Sequence, residues 1–502
     1  MRSAAKITGS MMKKFDGLKD VKVSGDRVVA DNKFKFGKAL LATASGLALI
    51  AGGANIAGAT SYSIGNGEVK YIGSSDNTEN ITFTGDGELI VSGGVSADVN
   101  GFVDATADNI GTITVLTTLN LAGNVGDTYP IKKLVLDGGS VGFSGSSTRI
   151  NTIELKQGGS NELKFHGDNP VFIGDIIVDS DESEGSIGPN SKFSNTNITL
   201  IGNIGIGGGG SAVGTLEIAN SKVVTLSGGD VNLGVVGFDN TSSKLKLSGS
   251  TDTVVTITYS MATTSLGYAG HGIFETEGSA NHTINANFGI SGNSFSTFNL
   301  GGTGTQTFAS SKGQQYFNNL TFIGAEASKA VFGGGATITS AVTFTAASQA
   351  LTFSKSSTLT GGASFAGKAS TITVDSAAGN NTLTGALTTT TNNTGTLAIT
   401  GGANTATIAN GVGASGNALS AVTVAASTGA VFSSAVYAKN VTLAGTATFN
   451  STVDTTGGKI SISSTGSAIL NQDTTATLEM SGNGNVTIAS GKTLTATIDN
   501  VT

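Results

Sequence analysis

The chain has 502 residues, with 74 glycines, three prolines, no cysteine and only 12% charged residues. The lack of cysteine excludes a disulfide framework, a thiolate metal site and a cysteine nucleophile. Residues 1–38 hold ten Lys/Arg and four Asp/Glu, a net charge of +6. Since the net charge of the whole chain is −7, the remaining residues carry −13. An acidic, charge-poor body without an aromatic platform or recognition helix argues against nucleic-acid binding.

The first predicted element is an export signal. Three lysines precede an apolar core at 40–50, and the small residues Ala57-Gly58-Ala59 follow it. Cleavage after Ala59 would release a chain that begins at Thr60. The uncharged run is just long enough for a transmembrane helix, at about 20 residues, and a soluble segment is the third alternative. The scattered glycines favour the export signal.

After residue 60 the sequence predicts an all-β fold. Short strands that alternate apolar and polar residues recur between Gly, Asn and Asp, as in ELIVSGG, KLVLDGG, NITLIG, NLTFIG and NVTLAG. Such turn signals about every 8–12 residues are typical of a sandwich, a barrel or a solenoid.

Two observations favour an elongated β-solenoid, a parallel β-helix. The pattern continues for more than four hundred residues, and segments resemble one another, as AVTFTAASQALTF at 341–353 resembles AVTVAASTGAVF at 421–432. Residues 190–502 contain no proline, which would delete a ladder donor between stacked turns. We therefore expect three regions: the extension and signal at 1–59, a more charged and irregular solenoid at 60–300, and an Ala/Thr/Gly-rich solenoid at 301–502.

A phosphate-binding loop is suggested near the end of the chain by SGKT at 490–493, but the rest of the motif is missing. A second glycine should stand five residues before Gly491, where the sequence has Val486. The residues after the motif alternate as a strand instead of opening a helix. We expect Gly491 to turn the chain between two strands and Lys492 to face solvent.

A dinucleotide fingerprint is suggested by Gly205, Gly207 and Gly210 with Asp230 downstream. The residues that follow alternate as strands, whereas the fingerprint requires a helix. No cofactor is expected.

The remaining candidates for chemistry are acidic residues and histidines. The loop DSDESEG at 179–185 lacks the glycine and glutamate that a calcium loop places at its sixth and twelfth positions. His166, His271 and His282 are too scattered for a zinc site, and His282 is expected to face outward. A carbohydrate-active enzyme would need charges clustered on neighbouring turns, and the only dense charges lie at 154–192.

The sequence resembles passenger regions of autotransporter surface proteins, most of all those of rickettsial surface cell antigens. The resemblance lies in the long extension, in the signal ending AGA, and in the phrases NLTFIG, KAVFGGGATITSAVTF and GNVTIASGKTLT. The resemblance covers nearly all of 60–502 and implies a displayed β-solenoid that acts in adhesion or in a surface layer. It carries over no catalytic residues. Such proteins end in a membrane barrel, for which this sequence leaves no room, so attachment to the outer membrane is expected to use a separate or missing barrel.

The sequence therefore predicts an exported, non-enzymatic β-solenoid at the cell surface or secreted from it. Its expected partner is a host-cell surface receptor or neighbouring copies of itself. Two alternatives stay open, a self-assembling surface-layer protein and a carbohydrate-active β-helix enzyme.

Overall fold

A computed structural model of the chain describes residues 21–24, 27–30, 60–73, 77–94, 96–156, 161–167, 169–178, 190–193, 197–205, 213–260, 270–324, 327–455 and 457–500. The chain divides into two compact units, Met1–Gly58 and Ala59–Thr502. In the first unit two strands pair antiparallel, with Val21 opposite Ala30.

The second unit is a β-solenoid of about 18 turns, as the alternating pattern predicts. Numbered along the whole chain, the first 24 strands are β1 (Val21–Ser24), β2 (Arg27–Ala30), β3 (Thr60–Ile64), β4 (Val69–Ile72), β5 (Asn77–Phe83), β6 (Glu88–Val91), β7 (Ala97–Val99), β8 (Val103–Ala105), β9 (Ile110–Val115), β10 (Thr118–Leu121), β11 (Ile131–Leu136), β12 (Ser140–Phe143), β13 (Ser147–Leu155), β14 (Glu162–Phe165), β15 (Val171–Val178), β16 (Asn190–Phe193), β17 (Ile198–Ile201), β18 (Val213–Ile218), β19 (Val223–Leu226), β20 (Val231–Phe238), β21 (Lys244–Leu247), β22 (Thr253–Ser260), β23 (Ile273–Thr276) and β24 (His282–Asn285).

The chain also makes a 3-10 turn at Ser310–Lys312, between the strands β26 (Thr305–Phe308) and β27 (Gln315–Phe322) of its later part. The strands of this later part are β25 (Phe295–Leu300), β26 (Thr305–Phe308), β27 (Gln315–Phe322), β28 (Lys329–Phe332), β29 (Ala336–Ile338), β30 (Val342–Thr343), β31 (Ala350–Phe353), β32 (Ser357–Leu359), β33 (Ala363–Ser364), β34 (Thr371–Asp375), β35 (Asn381–Thr384), β36 (Leu387–Thr388), β37 (Thr396–Thr400), β38 (Thr405–Ile408), β39 (Leu419–Val424), β40 (Gly429–Phe432), β41 (Val436–Leu443), β42 (Thr446–Phe449), β43 (Val453–Asp454), β44 (Lys459–Ile462), β45 (Ser467–Leu470), β46 (Thr474–Met480), β47 (Asn485–Ile488) and β48 (Leu494–Asn500).

Between residues 329 and 388 each turn contributes one strand to each of three parallel stacks, which we call faces A, B and C. Face A contains β28, β31, β34 and β37, face B contains β29, β32, β35 and β38, and face C contains β30, β33 and β36. Some long strands turn a corner without a loop. Strand β41, for example, pairs with β43 through Val436 and with β44 through 440–443.

The core lies inside the three faces, because every second residue of a strand points inward. In face A the inward residues Phe308, Phe332 and Phe353 occupy one register position on consecutive turns, and each is fully buried. Their rings stack with centroids 4.9 and 5.6 Å apart and interplanar angles of 16° and 11°. These distances are close to the spacing of hydrogen-bonded strands, so parallel stacking aligns identical side chains.

Turn length varies, and the loops absorb the variation. Ile399 pairs with Val424, 25 residues later, whereas Leu443 pairs with Ile462, only 19 residues later. This explains why the sequence shows similar segments but no strict period.

Candidate functional site

A distinct surface feature of the described residues is a hairpin that comes directly before strand β25, which pairs with β27 and through it with β29 of face B. Between the buried residues Phe288 and Phe295 the chain leaves the stack, and Ile290 and Asn293 exchange backbone hydrogen bonds of 3.0 and 2.9 Å. Gly289 and Gly292 have φ values of 63° and 80°, which glycine adopts without the steric penalty that a Cβ would bring. We call this segment the 289–294 hairpin.

A buried glutamine on the next turn supports the hairpin. Gln315 is 0% exposed; its Oε1 accepts the Phe288 N–H at 2.9 Å, and its Nε2 donates to the Gly313 carbonyl at 3.1 Å. The Tyr316 N–H donates to the Phe288 carbonyl at 2.8 Å. The side chain therefore satisfies a backbone donor that has left the ladder, which an apolar residue could not do.

Beside the hairpin lies an open groove of about 750 Å³. Its floor is formed by Tyr316, Thr337 and Thr358, which stand at one register position on consecutive turns and are half-buried. The other lining residues come from the hairpin and from neighbouring turns, namely Gly270, Ser291, Gly292, Asn293, Ser294, Gln314, Asn318 and Thr339. All of these side chains are neutral, and most can both donate and accept hydrogen bonds.

Hydrogen bonds order part of the groove. Gln314 Nε2 donates to Thr337 Oγ1 at 2.8 Å, and the Tyr316 hydroxyl lies 3.5 Å from Gln314 Oε1. The contact with Thr337 fixes the glutamine amide between two turns of the floor.

The hairpin sequence occurs twice. The pattern Gly-x-Ser-Gly-Asn at 289–293 recurs at 413–417, where Ala414 and Asn417 exchange the same backbone hydrogen bonds, of 3.1 and 2.9 Å. A tyrosine again follows on the next turn, since the Tyr437 N–H donates to the Val412 carbonyl at 2.7 Å. This second hairpin leads from face C into face A, and Tyr437 stands beside Asp454 in register.

The dense charges at 154–192 do not form one cleft in the described part of the chain. Glu154 lies on strand β13, whose neighbour in the stack is β11. It forms ion pairs with Lys133 of β11 and with Lys156, the latter at 2.8 Å. Glu162 and Lys164 form their own pair at 2.6 Å on a strand of a different stack. Burial raises the pKa of Glu154, but hydrogen bonds and charges from the two lysines outweigh it and hold the pKa below its usual value.

Asp175 has a structural role, since its Oδ1 accepts the Asn203 N–H at 2.8 Å. Asp168 and the acidic loop with Asp179, Asp181, Glu182 and Glu184 lie outside the described residues.

A second buried acid lies on strand β23. Glu275 is 5% exposed and accepts hydrogen bonds from Lys244 Nζ at 2.6 Å and Asn299 Nδ2 at 2.9 Å. Lys246 bridges it to the more exposed Glu277, at 2.6 Å from the latter. The cluster joins two consecutive turns by ion pairs and a third turn by the hydrogen bond from Asn299.

The prediction for His282 is wrong. The side chain is 2% exposed and points inward, in register with Gln306 on the next turn, and burial lowers its pKa although the charge of Asp252 partly opposes this. Neither ring nitrogen has a hydrogen-bond partner within the described residues. His282 has the same parity as the buried Ile284, so alternation overrode its polarity.

The other predicted motifs are structural where they are described. Gly491 has a φ of 76° between β47 and β48, as expected of a turn, and Lys492 Nζ donates to Gln472 Oε1 at 3.0 Å. Asp230 Oδ1 accepts the Val254 N–H at 3.0 Å, and the chain beyond Gly205 continues into strand β18. Gly207 and Gly210 are outside the described residues.

The predicted cleavage site is described only in part. Ala57 and Ala59 lie outside the described residues, while Thr60 is the first residue of β3. Among the described residues no helix is long and apolar enough to cross a membrane, and no group of three or more His, Asp or Glu could hold a metal ion.

Comparisons with protein-family models, with curated proteins and with solved structures found no match for this chain.

Proposed function

We propose that this protein is an exported surface solenoid that adheres to host cells or surfaces without catalysing a reaction. The observation that carries the proposal is the neutral groove beside the 289–294 hairpin, where an aromatic side chain and several hydrogen-bonding groups face outward from a continuous scaffold. Binding sites commonly combine such a concave surface with a few placed polar groups.

The outward side chains of the solenoid also suit a contact surface. On face A one register position holds small, mostly hydroxyl-bearing residues on six consecutive turns: Thr352, Thr373, Ala398, Thr423, Thr442 and Ser461. These residues are half-buried or exposed. A partner can displace water from a neutral hydroxyl surface without removing charged side chains from water, which would be costly.

The surroundings of Glu154 favour a structural role for this carboxylate over catalysis. A glycosidase needs one carboxylic acid whose pKa is raised so that it can donate a proton. Lysines hold the pKa of Glu154 below its usual value, so this carboxylate is ionised and unsuited to that task.

The test is surface proteolysis of intact cells, followed with an antibody to residues 301–502 and by amino-terminal sequencing of the mature chain. We expect a start at Thr60, loss of the antibody signal after protease treatment, and adherence of beads coated with the protein to host cells. A chain that starts at Met1 and is fully protected would refute display at the surface. Ordered arrays of the purified protein without adherence would favour the surface-layer alternative, and release of new reducing ends from a polysaccharide would refute the absence of catalysis.

A further inference from the structure

We propose that the groove beside the 289–294 hairpin binds a neutral oligosaccharide that lies across consecutive turns. This inference rests on the proposed function as a binding protein and names the class of ligand. Its basis is the chemistry, the size and the order of the groove lining.

The chemistry of the lining matches sugar hydroxyls. Every hydroxyl of a neutral sugar can donate one hydrogen bond and accept others, and the amides of Gln314, Asn318 and Asn293 offer both functions. Thr337 and Thr358 add hydroxyl groups on the floor. Tyr316 supplies an apolar ring with a polar tip, which can pack against the C–H face of a sugar ring while its hydroxyl stays near Gln314 Oε1, 3.5 Å away.

The dimensions suit several linked units. The groove volume of about 750 Å³ is within the range of small-molecule sites, roughly 300–1,000 Å³. From the hairpin to Thr358 the groove crosses three spacings between turns, which is about 14 Å at the spacing of paired strands. A chain of sugars can therefore contact Tyr316, Thr337 and Thr358 in succession.

Hydrogen bonds within the chain hold part of the groove lining in place. The Gln314 amide is held by Thr337, and the hairpin that forms one side is supported by the buried Gln315. Groups that are already ordered lose little conformational entropy on binding, which favours a ligand that itself makes only weak individual contacts.

Two other ligand classes fit less well. An acidic polysaccharide would lose hydration at a lining whose described residues include no cationic side chain. A peptide that binds by strand addition needs an unpaired strand edge, but the strands of the floor, β27, β29 and β32, are paired in sequence to one another and present side chains to the groove.

The experiment is isothermal titration calorimetry of the purified full chain with maltohexaose, cellohexaose and the N-acetylglucosamine hexamer hexaacetylchitohexaose as neutral probes and a heparin hexasaccharide as the acidic probe. We expect at least one neutral probe to bind and Tyr316→Ala to weaken its binding about tenfold, as expected for the loss of an aromatic contact. Thr337→Val, which removes a hydroxyl at nearly constant volume, should weaken the same probe severalfold.

The matched control is Tyr437→Ala, because Tyr437 follows the second Gly-x-Ser-Gly-Asn hairpin in the same way but lies outside the groove lining. Its binding should equal that of the unmodified chain, and circular dichroism should show that all variants keep the β signal. The proposal is overturned if no neutral probe binds, if Tyr437→Ala weakens binding as much as Tyr316→Ala, or if only the heparin fragment binds. The titration requires neither export nor cells, so it can fail while the proposed display and adhesion hold, and the reverse.

Discussion

The stack of Phe308, Phe332 and Phe353 predicts that replacing the central ring will strongly destabilise the middle of the solenoid. Phe332 is 0% exposed, and its ring lies between two others at centroid distances of 4.9 and 5.6 Å. Removing a buried phenylalanine ring typically costs about 3–5 kcal/mol, through lost transfer energy and the cavity left behind. Because neighbouring turns pair through backbone hydrogen bonds, the cavity in Phe332→Ala cannot collapse easily, and we expect about 4 kcal/mol.

A second substitution separates ring stacking from burial. Each ring pair contributes about 0.5–1.5 kcal/mol beyond its buried area, so the two stacked pairs of Phe332, with Phe308 and with Phe353, together contribute about 2 kcal/mol. Phe332→Leu keeps most of the apolar volume but loses both pairs, and it should cost about 2 kcal/mol. The control is Val331→Ala, since Val331 is the half-buried, outward neighbour on the same strand.

The assay is urea denaturation followed by circular dichroism, with hydrogen exchange to locate the weakened turns. In a repeat architecture each turn is stabilised mainly by its neighbours, so faster exchange should concentrate in β26, β28 and β31. A cost for Phe332→Ala no greater than that for Val331→Ala, or exchange that increases equally along the whole solenoid, would contradict this prediction.

Three further predictions concern charge and backbone. Burial lowers the pKa of His282, so near the ordinary value of 6.5 the folded chain binds fewer protons than the unfolded chain, and the free energy of unfolding should fall as the pH drops below 6.5. Urea midpoints measured across that pH range should fall less in His282→Gln than in the unmodified chain. An equal fall in both would contradict the prediction. Glu275→Ala should lower the free energy of unfolding by about 1–3 kcal/mol, because it leaves partly buried donors unpaired. Glu277→Ala replaces a side chain that is 42% exposed, so in the same urea titration it should change the free energy of unfolding by less than about 1 kcal/mol. Gly289→Ala would place a Cβ 2.6 Å from the backbone of the next turn and should disrupt both the hairpin and the groove. The Cβ of Gly292→Ala would meet nothing within 4 Å, so this variant should cost only the strain of the left-handed backbone, about 1–2 kcal/mol. Equal thermal midpoints for the two variants would contradict this prediction.

The candidate site could be recognised from the sequence only in part. The repeated Gly-x-Ser-Gly-Asn pattern at 289–293 and 413–417 is visible without a structure, as is the turn role of its glycines. The groove floor is not visible, because Tyr316, Thr337 and Thr358 come together only when three turns stack in register. That register depends on the lengths of the intervening loops, which follow no fixed period.

His282 shows how a local signal can mislead. Its polarity suggested an outward position, but its parity with Ile284 gives the position that it adopts. Alternation is the stronger signal because a shift by one residue would turn every apolar residue of the strand toward solvent.

The sequence by itself determined that this chain forms short strands with one buried side each, separated by glycine-rich turns, and that SGKT near its end is a turn between strands. These features depend on the period of two and on local backbone preferences, which act within a few residues. Only the tertiary structure decided which turns are neighbours, which aromatic rings stack, and that a neutral groove opens beside one hairpin. Those outcomes depend on contacts between residues about 20 to 30 positions apart, as in Tyr316 with Thr337. The lengths of the loops decide which residues meet, and these lengths cannot be derived from the alternation of residues within a strand.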